Sequence, residues 1–325
     1  MTQAEAKKRI NKLIKQIDEL RYAYHVLNDP AVSDEIYDSL QQELTELEKQ
    51  FPALKRTDSP LSRIGGQALD TFTKVSHQVQ QWSFNDVFNG EELAEWMARI
   101  EKIILKETGQ RPKLEYVCEL KIDGLHIVFT YRQGVLELAA TRGDGKVGEN
   151  VTENIKTIHS VPLKLKQPVD SIVEGEVWMS VKQLEAINAQ RRKAGLPEYA
   201  NPRNFAAGTI RQLDPKAVAE RKLDCFVYDW SGGTSERPDT QIKRLKKLRQ
   251  LGFQVNQDYK LCRTIEEIVA FWQHWQQPKE GKHLQRSKNN SQRRDEVMQQ
   301  VGHESRYCQR YAASGPKESV KRKIQ

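Results

Sequence analysis

Nowhere in the 325 residues is there an apolar run approaching the roughly 18 residues that cross a bilayer as a helix. The chain opens on the polar Met1-Thr2-Gln3-Ala4-Glu5-Ala6-Lys7-Lys8 instead of an apolar leader, so a cytoplasmic protein with no membrane contact is expected. Cysteine is scarce. Cys118, Cys225, Cys262 and Cys308 are the only four, and no two have Cys-x-x-Cys spacing, which argues against a disulfide framework or a thiolate metal site. Cys118 and Cys225 lie in apolar, strand-like runs and read as reduced core residues. Most of the chain also lacks a surplus of positive charge. Of the net +8, residues 278–325 supply +7 through 12 Lys+Arg against 5 Asp+Glu, which leaves +1 for residues 1–277. Charge alone therefore does not make the body of the chain a nucleic-acid binder.

What the sequence does contain is organised around Leu114-Glu115-Tyr116-Val117-Cys118-Glu119-Leu120-Lys121-Ile122-Asp123-Gly124-Leu125-His126-Ile127-Val128-Phe129. Rough apolar–polar alternation is interrupted at Gly124 and resumes to Tyr131, so Lys121 and Asp123 are expected where one strand gives way to another. A lysine becomes a covalent nucleophile when partial desolvation and neighbouring cations free its amine from the proton. Lys-x-Asp-Gly is also the motif of nucleotidyltransferases that carry AMP or GMP on that lysine. A tetrapeptide is weak evidence, and a surface lysine before a turn glycine reads equally well.

Upstream, Ile10, Leu13, Ile14, Ile17, Leu20 and Tyr24 recur at helical spacing and predict a helix over 3–27 that ends at Asn28-Asp29-Pro30. A second helix carries Tyr37, Leu40, Leu44 and Leu47, from Ser33-Asp34 to Phe51-Pro52, giving two antiparallel helices. Tyr22, Tyr24, His25, Asp34, Tyr37 and Asp38 gather around their connection. Such a set could hold a cationic ring; equally, the tyrosines could pack between helices and the acids cap them. Downstream, helices are predicted over 90–106, 180–193, 240–251 and 264–276, with most of the remainder to residue 230 in strands joined by tight turns. Ser171 to Met179 reads as a strand with Glu174 and Glu176 on one side. Thr141-Arg142-Gly143-Asp144-Gly145 reads as a bend where backbone can approach a ligand. Arg203 and Arg211, eight residues apart, could clamp phosphate or be solvated charges.

Taken in order, six motifs resemble those of the bacterial NAD-dependent DNA ligases over residues 5–277. They are Tyr-x-Tyr-His with Asp-x-x-Tyr-Asp; Ser83-Phe84 before Asp86-Val87-Phe88; Glu119 to Gly124; Ala140 to Gly145; Gly175-Glu176-Val177; and Asn201 through Asp214. The resemblance implies an α+β fold in which an N-terminal helical hairpin subdomain (1–70) recognises nicotinamide mononucleotide. A nucleotidyltransferase domain (71–277) follows, ATP-grasp-like, with antiparallel sheets and flanking helices. It implies that the Lys121 amine attacks the α-phosphorus of NAD, that nicotinamide mononucleotide leaves, and that the lysyl-AMP serves to seal nicks in double-stranded DNA in replication and repair. The roles it implies are Lys121 and Asp123 catalytic; Tyr24, His25, Asp34, Tyr37 and Asp38 at the nicotinamide end; and Ser83, Phe84 and Glu119 around adenine. Arg142 and Glu176 fall near the ribose, and Arg203 and Arg211 on phosphate, with Mg²⁺ as the expected cation. The chain is expected to work as a monomer on nicked duplex DNA.

Residues 278–325 depart from that pattern. The family continues there with an Asp-Gly-Val-Val-Ile-Lys-like strand and an Ala-Tyr-Lys-Phe-Pro-like segment, neither of which is present. The segment has few apolar residues and no sustained period, and reads as a basic, disordered or frame-shifted tail. Three alternatives stay open: an ATP-using nucleotidyltransferase, which has no reason to carry the Tyr24, His25, Asp34, Tyr37 and Asp38 set; a domain that binds NAD without reacting; and an inactive truncated remnant.

Overall fold

The structure is a computed structural model that describes residues 1–23, 34–56, 58–64, 71–82, 87, 89–111, 114–276 and 310–311. Helix α1 (Gln3–Tyr22) starts with a capping box, in which the Thr2 hydroxyl accepts from the Glu5 N–H and the Glu5 carboxylate accepts from that of Thr2. Ile10, Leu13, Ile14 and Ile17 bury against Leu44 and Leu47 of α2 (Asp34–Gln50), as the helical spacing predicts. One residue of that stripe differs. Arg21 is buried while Leu20 is only half-buried, because the last turn of α1 faces main-chain carbonyls elsewhere in the chain. The predicted extension of α1 to residue 27 falls mostly on residues 24–33, which lie outside the described residues.

Two antiparallel sheets build the rest. In the first, β2 (Tyr116–Glu119) lies between β8 (Tyr259–Cys262) and the two-residue β9 (Arg310–Tyr311). Helices α3 (Gly90–Thr108) and α9 (Ile265–Gln276) close its core, which holds Trp96, Ile100, Tyr116, Cys118, Cys262 and Ile268. Helix α3 has Asn89 as N-cap and stops at Gly109, whose left-handed φ of 72° suits glycine. The second sheet has the order β4-β3-β6-β7. Its strands are β3 (Leu125–Arg132), β4 (Val135–Thr141), β6 (Ser171–Trp178) and β7 (Asp224–Gly232). Gln133 and Gly134, both at positive φ, turn the β3–β4 hairpin. A short pair, β1 (Lys74–Ser76) with β5 (Val147–Glu149), forms a two-stranded sheet of its own against the end of β4, where the Glu149 N–H donates to the Thr141 hydroxyl.

Period two gives the second sheet two faces. Ile127, Phe129, Val173, Val177 and Val227 enter the largest core, where they meet Ile155 of α4 (Thr152–Lys156), Phe205 and Ile210 of α6 (Pro202–Ile210), and Leu245 and Leu248 of α8 (Gln241–Leu251). The opposite face carries His126, Glu174, Glu176 and Tyr228. Two more helices complete the fold, α5 (Val181–Lys193) and α7 (Pro215–Glu220). The chain is thus mixed α+β, with helices first and antiparallel sheets after, as expected.

One sequence reading needs correction. Residues 202–210 form a helix where the sequence reading has strands joined by tight turns: Asn201 accepts from the Asn204 N–H as N-cap and Pro202 occupies the first turn. The glycines of the Arg142–Gly145 bend also serve the chain's own packing, since a Cβ on Gly143 would meet Val147 O at 1.8 Å. The reading of 278–325 as a tail falls, apart from Arg310 and Tyr311, on residues outside those described.

Candidate active site

Lys121 sits on the irregular link 120–124 that carries the chain from β2 of one sheet to β3 of the other, where the sequence places it. The link is pinned at Gly124. A Cβ there would come within 2.1 Å of Val177 O and 3.0 Å of Glu176 Cγ, so only glycine lets the backbone lie this close to β6. The same approach lets the Gly124 N–H hydrogen-bond to Glu176. Lys121 itself is half-buried, whereas Asp123 is exposed and pairs with Arg203 Nε at 3.6 Å.

Glu176 is the buried member of this group, only 7% exposed, on the non-core face of β6 and opposite His126 in register. Burial raises its pKa from 4.5 to about 7, more than the nearby positive charges of Lys121 and Arg203 lower it, and the Asp123 carboxylate adds to the rise. Two cations and a carboxylate therefore face a buried acid that sits near its midpoint at neutral pH. A group whose folded pKa lies above its unfolded value binds more protons when folded, so its contribution to stability falls as pH rises from about 4.5 to about 7. At about 1.4 kcal/mol per pH unit, the span is worth roughly 3 kcal/mol. Glu176→Gln is accordingly expected to match the parent in stability near pH 5 and to exceed it by up to that amount at pH 8. Urea unfolding at a series of pH values checks this; parallel pH profiles for the two proteins would show that Glu176 ionises normally.

The other expected site residues divide by location. Glu119 ends β2 and is half-buried, its Oε1 accepting from Gln241 Nε2 at 2.8 Å. Arg142 is half-buried beside β4, its main-chain oxygen 3.1 Å from His77 Nε2. Arg203 and Arg211 lie at opposite ends of α6, separated by about 12 Å of helical rise. Arg203 reaches Asp123, while Arg211 pairs with Glu149 of β5 at 3.0 Å, so the two arginines serve different neighbourhoods. Tyr37 is partly buried and packs against the core between α1 and α2, with a raised pKa from burial. Tyr24, His25, Ser83 and Phe84, and the side chains of Asp34 and Asp38, lie outside the described residues.

The hairpin meets the larger body through residues that sequence reasoning did not single out. Arg63 Nη1 donates to Lys156 O at 3.1 Å and Ile158 O at 2.9 Å, and Nη2 to Val161 O at 2.9 Å. Arg21 Nη1 donates to His159 O at 2.6 Å. Lys164 pairs with Asp58 at 3.1 Å, and Lys166 Nζ sits 3.5 Å above the centre of the Tyr22 ring. Gln241 was likewise unmarked, because it opens a helix whose visible feature is positive charge.

Among the described residues no three His, Cys, Asp or Glu side chains gather as a metal site, and no helix is long and apolar enough to cross a membrane.

The family model for the NAD-dependent DNA ligase adenylation domain matches residues 69–285, and that for the DNA ligase-like, N-terminal NAD⁺-binding domain matches residues 3–65. Among similar proteins, a DNA ligase of Thermotoga petrophila is 44% identical over 270 residues, 83% of this chain and 38% of the relative. A DNA ligase of Lysinibacillus sphaericus is 45% identical over 272 residues, 83% of this chain and 40% of the relative. One from Acholeplasma laidlawii is 44% identical over 260 residues, covering 80% and 38%. The matched stretch thus spans about two-fifths of the length of these relatives.

Proposed function

Because this chain belongs to the NAD-dependent DNA ligase adenylation-domain family, we propose that it transfers AMP from NAD to Lys121 as the first step of joining nicks in double-stranded DNA. The observation that carries this reading is the position of Lys121 on the link between two sheets, beside a buried Glu176 and the Arg203–Asp123 pair. The Lys121 nitrogen attacks the α-phosphorus: a P–N bond forms, the bond to the bridging oxygen breaks, and nicotinamide mononucleotide leaves with that oxygen. The attacking amine gives up one N–H proton to solvent as the P–N bond forms, and AMP stays as a phosphoramidate that keeps the other N–H.

Each neighbour has a task within this scheme. Arg203 offers a guanidinium to phosphate oxygens, and Asp123 holds that guanidinium and the link in place. Glu176 accepts from a ribose hydroxyl, Glu119 from the exocyclic amine of adenine, and Arg142 lies toward the ribose. Arg211, paired with Glu149, is the arginine for the more distant phosphate, of NAD or of a nicked strand. Tyr24, His25, Asp34, Tyr37 and Asp38 are assigned to the nicotinamide end, and Ser83 and Phe84 to adenine. Magnesium, which neutralises charge developing on the transferred phosphate, would be carried by the phosphate oxygens, since the described residues form no cage for it.

The test is intact-mass measurement of the purified chain after incubation with NAD and Mg²⁺, and separately with ATP and Mg²⁺. A gain of one AMP from NAD alone, reversed by nicotinamide mononucleotide, is the expected result. A gain from ATP would move the chain to the ATP-using nucleotidyltransferases. No gain from either, in folded protein that binds NAD, would leave a binding module.

A further inference from the structure

Gln241 is the first residue of α8 and is fully buried, yet it belongs to none of the apolar clusters. Its Nε2 donates to Glu119 Oε1 at 2.8 Å and to Tyr228 O at 2.7 Å. Both partners are acceptors, which fixes the amide with its nitrogen toward them. Glu119 is the last residue of β2 in one sheet, and Tyr228 belongs to β7 in the other, so one side chain ties the two sheets together two residues before Lys121. Its Oε1 is buried and has no hydrogen-bond partner among the described residues. Burying an unpartnered acceptor is costly, and a methionine of similar volume would fill the same space without that cost. Filling space is thus a poor account of an amide here; what its nitrogen does is a better one.

We infer that Gln241 is a positioning residue for recognition of the adenine base: by anchoring one oxygen of Glu119 it sets the plane and direction in which that carboxylate accepts from the 6-amino group. This rests on the reading of Glu119 as the adenine contact. Adenine and hypoxanthine separate the two sharply. Adenine presents a donor at position 6, whereas hypoxanthine presents a carbonyl oxygen that a fixed carboxylate repels. A carboxylate free to turn away repels it less and gains less from the amine, so Gln241 governs the preference between the bases in addition to affinity.

The experiment is calorimetric titration of the full chain with NAD and with nicotinamide hypoxanthine dinucleotide, which needs no turnover. The parent is expected to prefer NAD, and Gln241→Met to lose at least about tenfold of that preference, the scale of one hydrogen bond to a charged group. Gln241→Glu keeps the shape, sets a second carboxylate against Glu119 and is expected to lose the preference too, which covers the case that the methionine variant does not fold. Equal weakening of both ligands in a folded variant would make Gln241 a sheet tie only and overturn the inference. Glu119→Gln is the control for the underlying reading. If it leaves the preference unchanged, Glu119 does not face the base and that assignment falls, while a changed preference in Glu119→Gln with none in the Gln241 variants overturns the Gln241 inference alone. A parent chain that binds neither dinucleotide overturns both.

Discussion

Replacing Lys121 with alanine is expected to abolish covalent AMP altogether, leaving the intact mass after incubation with NAD and Mg²⁺ the same as before. The size of the effect follows from the chemistry. A phosphoramidate needs a nitrogen lone pair at the attacking position, and neither neighbour can supply one: the Asp123 carboxylate is not a nitrogen, and the nitrogen electrons of a guanidinium such as that of Arg203 are delocalised over the planar group. Lys121→Arg should therefore fail as completely while keeping the positive charge. Neither change should unfold the chain, because Lys121 is half-buried on an irregular link and belongs to neither sheet's core. Melting temperature is the control, expected to move by no more than the small amounts typical of sites outside a core. Affinity for NAD separates the roles further. Losing a nucleophile removes the reaction, whereas losing a phosphate-binding charge weakens the ground-state complex, so Lys121→Ala should lose both and Lys121→Arg only the first. AMP retained on a folded Lys121→Ala variant would move the nucleophile elsewhere and sink the assignment.

The geometry behind that expectation was partly legible in the residues. The strand–link–strand reading around Lys121 held because apolar alternation stops and resumes about Gly124, and a glycine between two β runs marks backbone that must come close to something. What it approaches, Val177 of β6, could not be read, since the partner lies more than 50 positions away and pairing register is a property of the assembled sheet. The placement of Glu174 and Glu176 on one face followed from period two; that Glu176 alone is deeply buried did not, because burial depends on what covers the face. Helix α6 was missed because nine residues that include Pro202 and Gly208 show no clear helical period, although Asn201-Pro202 is a standard opening for a helix. Strands β1, β5 and β8, three or four residues long, are too short for a period to emerge.

Arginine at positions 21 and 63 is a different kind of miss. The helical stripe of α1 was read as apolar throughout, so a cation within it looks like a surface residue until the fold shows carbonyls waiting for it. Helix α4 ends at Lys156, and its last carbonyls together with those of the following turn find donors on the N-terminal segment. The C-terminal end of a helix carries partial negative charge, which favours the two guanidiniums there. Burial, with Arg21 close by, pulls the Arg63 pKa down to about 9, so its charge is held against desolvation by those oxygens and by the Asp18 carboxylate.

Arg63→Met is the second large effect expected. Arg63 is 3% exposed, and its removal takes the donor from the oxygens of Lys156 and Val161 and one of two donors from Ile158, which still accepts from the Val161 N–H, in a place water does not reach. Each unmet buried acceptor costs about 1–3 kcal/mol, offset in part by no longer burying a charge, so a net loss of roughly 3–5 kcal/mol is expected. For a chain of this size that lowers the melting temperature by roughly 5–10 °C. Lysine cannot reproduce the fork that serves three carbonyls, so Arg63→Lys should recover less than half of the loss. The damage should also be local. Hydrogen exchange in α1 and α2 should quicken, because Arg63 and Arg21 are the buried ties of that segment to residues 156–161, while β3, β6 and β7 should stay protected by their own core. Uniform loss of protection across both would mean that the hairpin and the sheets unfold as one unit and that Arg63 supports the whole chain. Unchanged protection in α1 would mean that the hairpin is held by its apolar contacts and that the carbonyls find other donors. The expected local loosening would also bear on NAD, since a hairpin loosened from the body should weaken binding of the dinucleotide while leaving affinity for AMP intact.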